Sequence, residues 1–369
     1  MIAPAAKSES AARLHLLGVD LTTLRHWFEE RGQPAYRADQ ILHWTYARAA
    51  HSFEPMTNLS KELRSELTVA ADVLQGLVMA DSAAADGTRK LLLSWADGAT
   101  VETVWIPDAA RQTACLSSQA GCPVGCRFCA SGLDGLQRNL TAGEIVEQAV
   151  RVAHLVAAAG QVEAEAKPAR LSNIVLMGMG EPLANYDAVV TAIRILNAPW
   201  GLNIGARKIT VSTVGLPKQI RRLADEGLQL NLALSLHAPE QKLREKLIPW
   251  GRVPLAELLD ACWYYFEQTG REITLEYVLL AGVNMDPPHA GQLAKIARRL
   301  RANVNLLRYN PVPGLPFARP NGEAAYDFQA ALREQGVNAH LRTSRGQDID
   351  AACGQLRRRA ALEQPDRQP

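Results

Sequence analysis

Residues 113–132 read TACLSSQAGCPVGCRFCASG: a short apolar run that passes, without any helical stretch, into a glycine-flanked loop carrying Cys122, Cys126 and Cys129. A β-strand that ends in a ligand-rich loop is the repeating unit of a (β/α) barrel, where binding groups sit beyond the strands' C-terminal ends. The chain downstream keeps that rhythm. Further apolar, β-rich runs occur at SNIVLM (172–177), KITVST (208–213), QLNLALS (229–235), EITLEYVLL (272–280), NVNLLRYN (303–310) and NAHLRT (338–343), with helical stretches between them. Strand and helix alternating in this way predict a parallel sheet covered by helices. Six or seven such units fall short of the eight that close a full barrel, so the expected fold is α/β, a partial (β/α) barrel.

The region before the barrel has a different character. LTTLRHWFEERG, YRADQILHWTYARAA and NLSKELRSELTVAA, between residues 20 and 75, read as helices separated by Gly32 and Pro34. TRKLLLSWADGATVETVWIP (88–107) reads as two strands joined at Asp97-Gly98, a dipeptide suited to a tight hairpin. The expected domains are a helical N-terminal unit over 1–87, a β-hairpin extension over 88–107, the barrel over 108–347 and a C-terminal segment over 348–369. The alanine- and glutamate-rich stretch 157–170 and the proline-rich loop 312–322 read as insertions, and the arginine-containing tail from Leu356 reads as frayed.

Composition narrows the class without deciding it. Hydrophobic residues make up 47% and charged residues 21% of the 369 residues, ordinary for a protein with a large core. Forty basic against thirty-eight acidic residues leave a net charge of +2, so a nucleic-acid partner has to be argued from a site and not from charge. Lys7, Ser8, Glu9 and Ser10 interrupt the N-terminus before any apolar run of signal-peptide length, and no stretch is apolar enough to cross a membrane. A cytoplasmic location follows as the expectation. There, closely spaced cysteines serve metals or catalysis more often than structural disulfides.

The spacing C-x3-C-x2-C supplies three thiolates and no second pair for a tetrahedral zinc site. A cubane iron–sulfur cluster held by three thiolates leaves one iron open to another ligand. GMGEPLAN (178–185), directly after a strand, lacks the helix start that a dinucleotide fingerprint requires. Its exposed strand-end backbone and Glu181 suit an ammonium group instead, although by themselves the glycines could serve only a turn. Cys262, within the helical stretch DACWYYFEQ, has no motif around it and reads as core.

The cysteine loop resembles that of the radical S-adenosylmethionine superfamily, in which the open iron takes the amino and carboxylate groups of the cofactor. The resemblance extends along the chain. YRADQILHWTY, EPMTNLSKELR, CLSSQAGCPVGCRFCASG, LMGMGEPLANYD, ITVSTVG, LALSLHAP, LEYVLLAGVN, LLRYNPV and RGQDIDAACGQL occur in the order and spacing of the RlmN family of RNA adenosine-C2 methyltransferases, from about residue 20 to about residue 356. This similarity implies a [4Fe-4S] cluster on Cys122, Cys126 and Cys129, with two molecules of S-adenosylmethionine used per turnover. It implies that Gly180, Glu181, Ser212, Ser235, Leu236, His237 and Asn310 line the cofactor and that Phe128 lies against its adenine. It also implies that Cys353 carries the methyl group, that Cys115 resolves the protein–RNA adduct through a disulfide with Cys353, and that Glu102 is the general base.

The implied partners are 23S rRNA, tRNA and an electron donor such as flavodoxin, with the N-terminal unit docking RNA, no membrane, and a monomeric chain. Two other readings stay open on the residues alone. One is a related enzyme that methylates C8 of the same rRNA adenosine. The other is a non-catalytic, zinc-stabilised RNA-binding module that uses Arg37, Arg48 and Arg64 for phosphate contacts, which leaves Cys115, Glu181 and Cys353 without roles.

Overall fold

The computed structural model describes residues 13–108, 111–160 and 169–357. A ten-stranded sheet forms its centre, and strand order in space follows order in the chain. β1 (Leu77–Ala83), β2 (Arg89–Ser94), β3 (Thr100–Asp108) and β4 (Arg111–Cys115) make an antiparallel meander. From β4 onward, β5 (Asn173–Leu176), β6 (Ile209–Thr213), β7 (Asn231–Ser235), β8 (Thr274–Leu279), β9 (Asn303–Arg308) and β10 (Ala339–Arg342) are all parallel. These seven parallel strands coincide with the seven apolar runs of the sequence. The turn between β2 and β3 falls at Asp97-Gly98 as expected, with the Gly98 N–H bonded to the Trp95 carbonyl at 2.9 Å.

The helical unit contains α1 (Leu21–Glu29), α2 (Tyr36–Leu42) and α3 (Lys61–Ala70). Asp20 caps α1 through the Thr23 N–H and Ser60 caps α3 through the Leu63 N–H, which satisfies donors a helix start otherwise leaves orphaned. Leu24, Phe28, Ile41, Leu42, Met56 and Leu67 form a core of its own. Tyr46, Leu74 and Trp200 pack against both this core and that of the barrel. A second tie is polar: the buried Glu147 carboxylate, on α4 (Ala142–Gly160), accepts the backbone N–H groups of Gln75 and Gly76 and pairs with Arg151 and His15.

The structure differs from the sequence reading in two places. Residues 77–83, within the span assigned to the helical unit, form the edge strand β1, because pairing with β2 satisfies a backbone that no helix covers. Residues 157–160, read as the start of an insertion, complete α4; 161–168 lie outside the described residues, as do 1–12 and 358–369 with most of the arginine-containing tail.

Candidate active site

The cysteine loop is shaped by close backbone approaches at the mouth of the barrel. Gly121 holds φ +81°, and a Cβ there would sit 2.0 Å from the Gly135 carbonyl oxygen, so only glycine fits. Cys122 donates its N–H to that same carbonyl, Cys129 donates to the Cys126 carbonyl at 3.1 Å, and Arg127 donates to the Leu247 carbonyl at 2.9 Å, tying the loop to α5 (Gln241–Leu247). Burial pushes the Cys122 thiol up to about 12 and raises Cys126 and Cys129 as well, so the protein alone does not hold them as thiolates at neutral pH. A cationic inorganic core would do so.

The loop faces a cavity lined also by Phe128, Gly180, Glu181, Ser212, Ser235 and His237, with Asn310 and Cys353 completing the wall. Gly180 has φ +104°, and a Cβ would lie 2.7 Å from Ser118 Oγ and Gln119 Cβ. Both oxygens of the buried Glu181 carboxylate accept backbone N–H groups, from Leu183 at 3.0 Å and Val214 at 2.8 Å. Burial outweighs those bonds and pushes its pKa up to about 7. Ser212 and Ser235 place their hydroxyls 3.3 Å apart. His237 accepts the Val278 N–H at Nδ1, and burial with the nearby Arg244 charge lowers its pKa to about 3, so the ring is neutral with its proton on Nε2. Phe128 stands edge-on to that ring, centroids 4.9 Å apart. Leu236 is the exception, since its side chain is buried in the barrel core and does not line the cavity.

The C-terminal segment crosses the mouth and brings Cys353 to the cavity. Asn310 Nδ2 donates to the Cys353 carbonyl at 3.1 Å, Ala130 N–H donates to the Gly354 carbonyl at 2.7 Å, and Ser131 Oγ donates to the Leu356 carbonyl at 2.5 Å. The Cys353 thiol is walled by protein yet open to the cavity; burial and the nearby Glu276 push it up to about 11. Cys115, at the end of β4, is buried outside the cavity lining, and burial together with Cys353 raises its thiol well above the ordinary range. Both cysteines are free thiols.

Glu102 lies apart from that cavity, in an adjoining cleft with Lys90, Leu92, Asp348 and Ile349. Its carboxylate is buried, 2.8 Å from Lys90 Nζ, and accepts the Arg357 N–H at 2.9 Å. Lys90 also donates to the Asp350 carbonyl, so the pair is latched to the segment that carries Cys353.

Residues 14–73 match the family described as the ribosomal RNA large subunit methyltransferase N-terminal domain, and residues 116–291 match the radical SAM superfamily. The Probable dual-specificity RNA methyltransferase RlmN of Rhodopirellula baltica is 45% identical over 353 residues, covering 95% of this chain and 93% of that protein. Its counterpart in Gloeobacter violaceus is 49% identical over 346 residues, covering 94% and 95%. The crystal structure of a radical SAM methyltransferase from Sphaerobacter thermophilus superposes with a TM-score of 0.89 at 45% identity over 93% of this chain and 99% of that one. The chain belongs to the RlmN family.

RlmN family membership brings a [4Fe-4S] cluster and S-adenosylmethionine as cofactors, and the donor set agrees with a cubane. Cys122, Cys126 and Cys129 line one cavity and can offer one thiolate to each of three irons, which leaves the fourth iron for another ligand. In this RlmN chain the cavity residue Glu276, the cleft residue Lys90 and the fully buried Arg244 escaped the sequence reading. Glu276 is an acidic residue in the middle of an otherwise apolar strand, held by Asn305 at 2.9 Å, and that position was the available signal. Lys90 and Arg244 carried no local signal, because each is defined by a partner distant in sequence.

Proposed function

We propose that this chain methylates C2 of adenosine in 23S rRNA, in the peptidyl-transferase region, and adenosine beside the anticodon of tRNA, through a methyl group carried on Cys353. The observation that carries the reading is that Cys353 and the three-cysteine loop open onto one cavity, far apart in sequence and adjacent in space. C2 of adenine is electron-poor and has no lone pair, so it cannot displace a methyl group from a sulfonium as a nitrogen would. When bound, the cluster and S-adenosylmethionine supply a methyl group by displacement and, from a second molecule, a carbon radical able to remove a hydrogen atom.

The chain's own residues do the rest. Cys122, Cys126 and Cys129 hold the cluster; Glu181, Gly180, Ser212, Ser235, His237 and Asn310, with the backbone at Leu236, orient the cofactor. A carboxyl near pH 7 in its pKa, as Glu181 is, ionises when an ammonium group joins it. Cys353 presents sulfur to the cavity, and Asn310 fixes its backbone. Once a methylene group bridges Cys353 sulfur and adenine C2, the Cys115 thiolate attacks that sulfur: the S–S bond forms as the S–CH2 bond breaks, and the departing carbon takes a proton to become the methyl group of the released RNA. The raised pKa of Cys115 means that a proton must leave it for this to happen. Glu102 removes the C2 proton once movement of the C-terminal segment opens its pair with Lys90.

The helical unit before residue 77 docks RNA, 77–107 extend the sheet, 108–347 form the radical core and 348–369 carry the methyl-bearing cysteine. The protein works as a cytoplasmic monomer supplied with electrons by a donor such as flavodoxin. Cys353→Ala and Cys115→Ala test the assignment together. Both are expected to make no methylated RNA. Only Cys115→Ala should stay covalently joined to RNA on a denaturing gel, with a nucleotide found by mass spectrometry on the peptide containing Cys353. An adduct in Cys353→Ala, or none in Cys115→Ala, overturns the two roles.

A further inference from the structure

Arg244, on α5, is wholly excluded from solvent. Its Nη2 donates to the backbone carbonyl of Val214, while Nε and Nη1 meet no acceptor among the described residues. A guanidinium cannot lose its charge, so its burial against one neutral carbonyl is a cost that the protein's own groups do not offset. The surroundings tell where the offset belongs. Leu247 and Ile248, at the end of the same helix, pack with Val124, Phe128 and Val214 against Cys122, Cys126 and Cys129. The Leu247 carbonyl also accepts the Arg127 N–H from within the cysteine loop. The ionisable groups that feel this guanidinium most as partners are Cys126 and Cys262, and burial keeps the Cys262 thiol neutral by pushing it up to about 12.

We propose that Arg244 is a positioning residue for the radical chemistry: a buried, permanent counter-charge that offsets the negative charge of the thiolate-bound cluster and makes its reduction easier. This rests on the reading of Cys122, Cys126 and Cys129 as the cluster ligands. Reduction adds one electron from an external one-electron donor and no proton, so the assembly becomes more negative by one charge. A fixed cation in a low-dielectric setting stabilises that product over the oxidised state. The same side chain also anchors Val214, whose N–H holds Glu181 at 2.8 Å, so a purely structural role has to be separated experimentally.

Arg244→Gln removes the charge and Arg244→Lys keeps it, and both lose the planar fork. Without cluster, Gln should melt no lower than Lys, because the charge is then only a cost. After anaerobic reconstitution the order should reverse, with the larger rise in Tm for Lys. In a dithionite redox titration followed by electron paramagnetic resonance, Gln should shift the reduction equilibrium about tenfold against reduction, about 59 mV for one electron, while Lys stays near the wild type. A Gln variant that is folded but cannot load a cluster that Lys does load also supports the proposal. It is overturned if Gln keeps the wild-type potential, if Gln already melts below Lys without cluster, or if neither variant loads. Iron and sulfide in the wild-type protein test the ligand reading separately: a wild type without cluster would end that reading, and this proposal with it.

Discussion

Gly121 and Cys126 show how little freedom the cysteine loop has. A methyl group at Gly121 would collide with the Gly135 carbonyl and force an L-residue into φ +81°, a strain of about 1–3 kcal/mol that falls on the turn setting Cys122. Gly121→Ala is expected to keep the wild-type circular dichroism spectrum and lose most of its iron and sulfide after anaerobic reconstitution. Cys122→Ala, Cys126→Ala and Cys129→Ala should each lose the cluster, since two thiolates hold a cubane poorly. Full iron and sulfide in any one of them would remove that cysteine from the ligand set. Cys262→Ala, a change in the barrel core, should leave cluster content untouched.

At the scale of elements, α4 does more than cover the sheet. Ile145, Val146, Ala149, Val150, Val152 and Val156 bury its apolar face, and Glu147 turns the other way to grip the chain as it passes from α3 to β1. Burial works against the Glu147 carboxylate, but His15, Arg151 and the Gln75 N–H outweigh it, so its pKa lies below the ordinary value of 4.5. A carboxylate depressed on folding contributes stability above its unfolded pKa, and that stability is lost as pH falls through the folded one. Glu147→Gln should therefore lose roughly 3–5 kcal/mol at neutral pH and show a flatter acid limb below pH 4.5 in denaturant melts. Equal losses at pH 7 and pH 3 would show that the charge is not what matters.

In the whole molecule, the helical unit and the barrel are joined through Tyr46, Leu74, Trp200 and Glu147 and through His51, whose ring stacks on that of His154 of α4. Arg48 is exposed and stacks over Trp44, 5.4 Å from the ring centroid, a cation with an aromatic face beside it. If it meets a phosphate, Arg48→Glu should weaken RNA binding and lower the slope of log affinity against log salt by about one. Cleavage of S-adenosylmethionine without RNA should be unchanged. Wild-type affinity and slope would place the RNA elsewhere on the protein.

The seven parallel strands and the Asp97-Gly98 turn were readable because each depends on neighbours in the chain: apolar runs of strand length, glycine at a tight turn, helical periodicity between them. The cysteine loop and the glutamate of GMGEPLAN were readable for the same reason, as compact motifs whose chemistry needs those residues at that spacing. Strand β1 escaped because LVMADSA carries no alternation of buried and exposed positions; it is a strand only because β2 lies beside it. The pairing of Lys90 with Glu102, the burial of Arg244 against the Val214 carbonyl and the meeting of Cys353 with a loop more than two hundred residues earlier are of another kind. The sequence by itself determined the seven parallel strands, the hairpin turn and the compact cysteine and glycine–glutamate motifs, because each is set by neighbours along the chain. Only the tertiary structure decided which charges are buried, which partners meet them and which thiol faces the cavity, because those energies depend on groups brought together by folding and not by order along the chain.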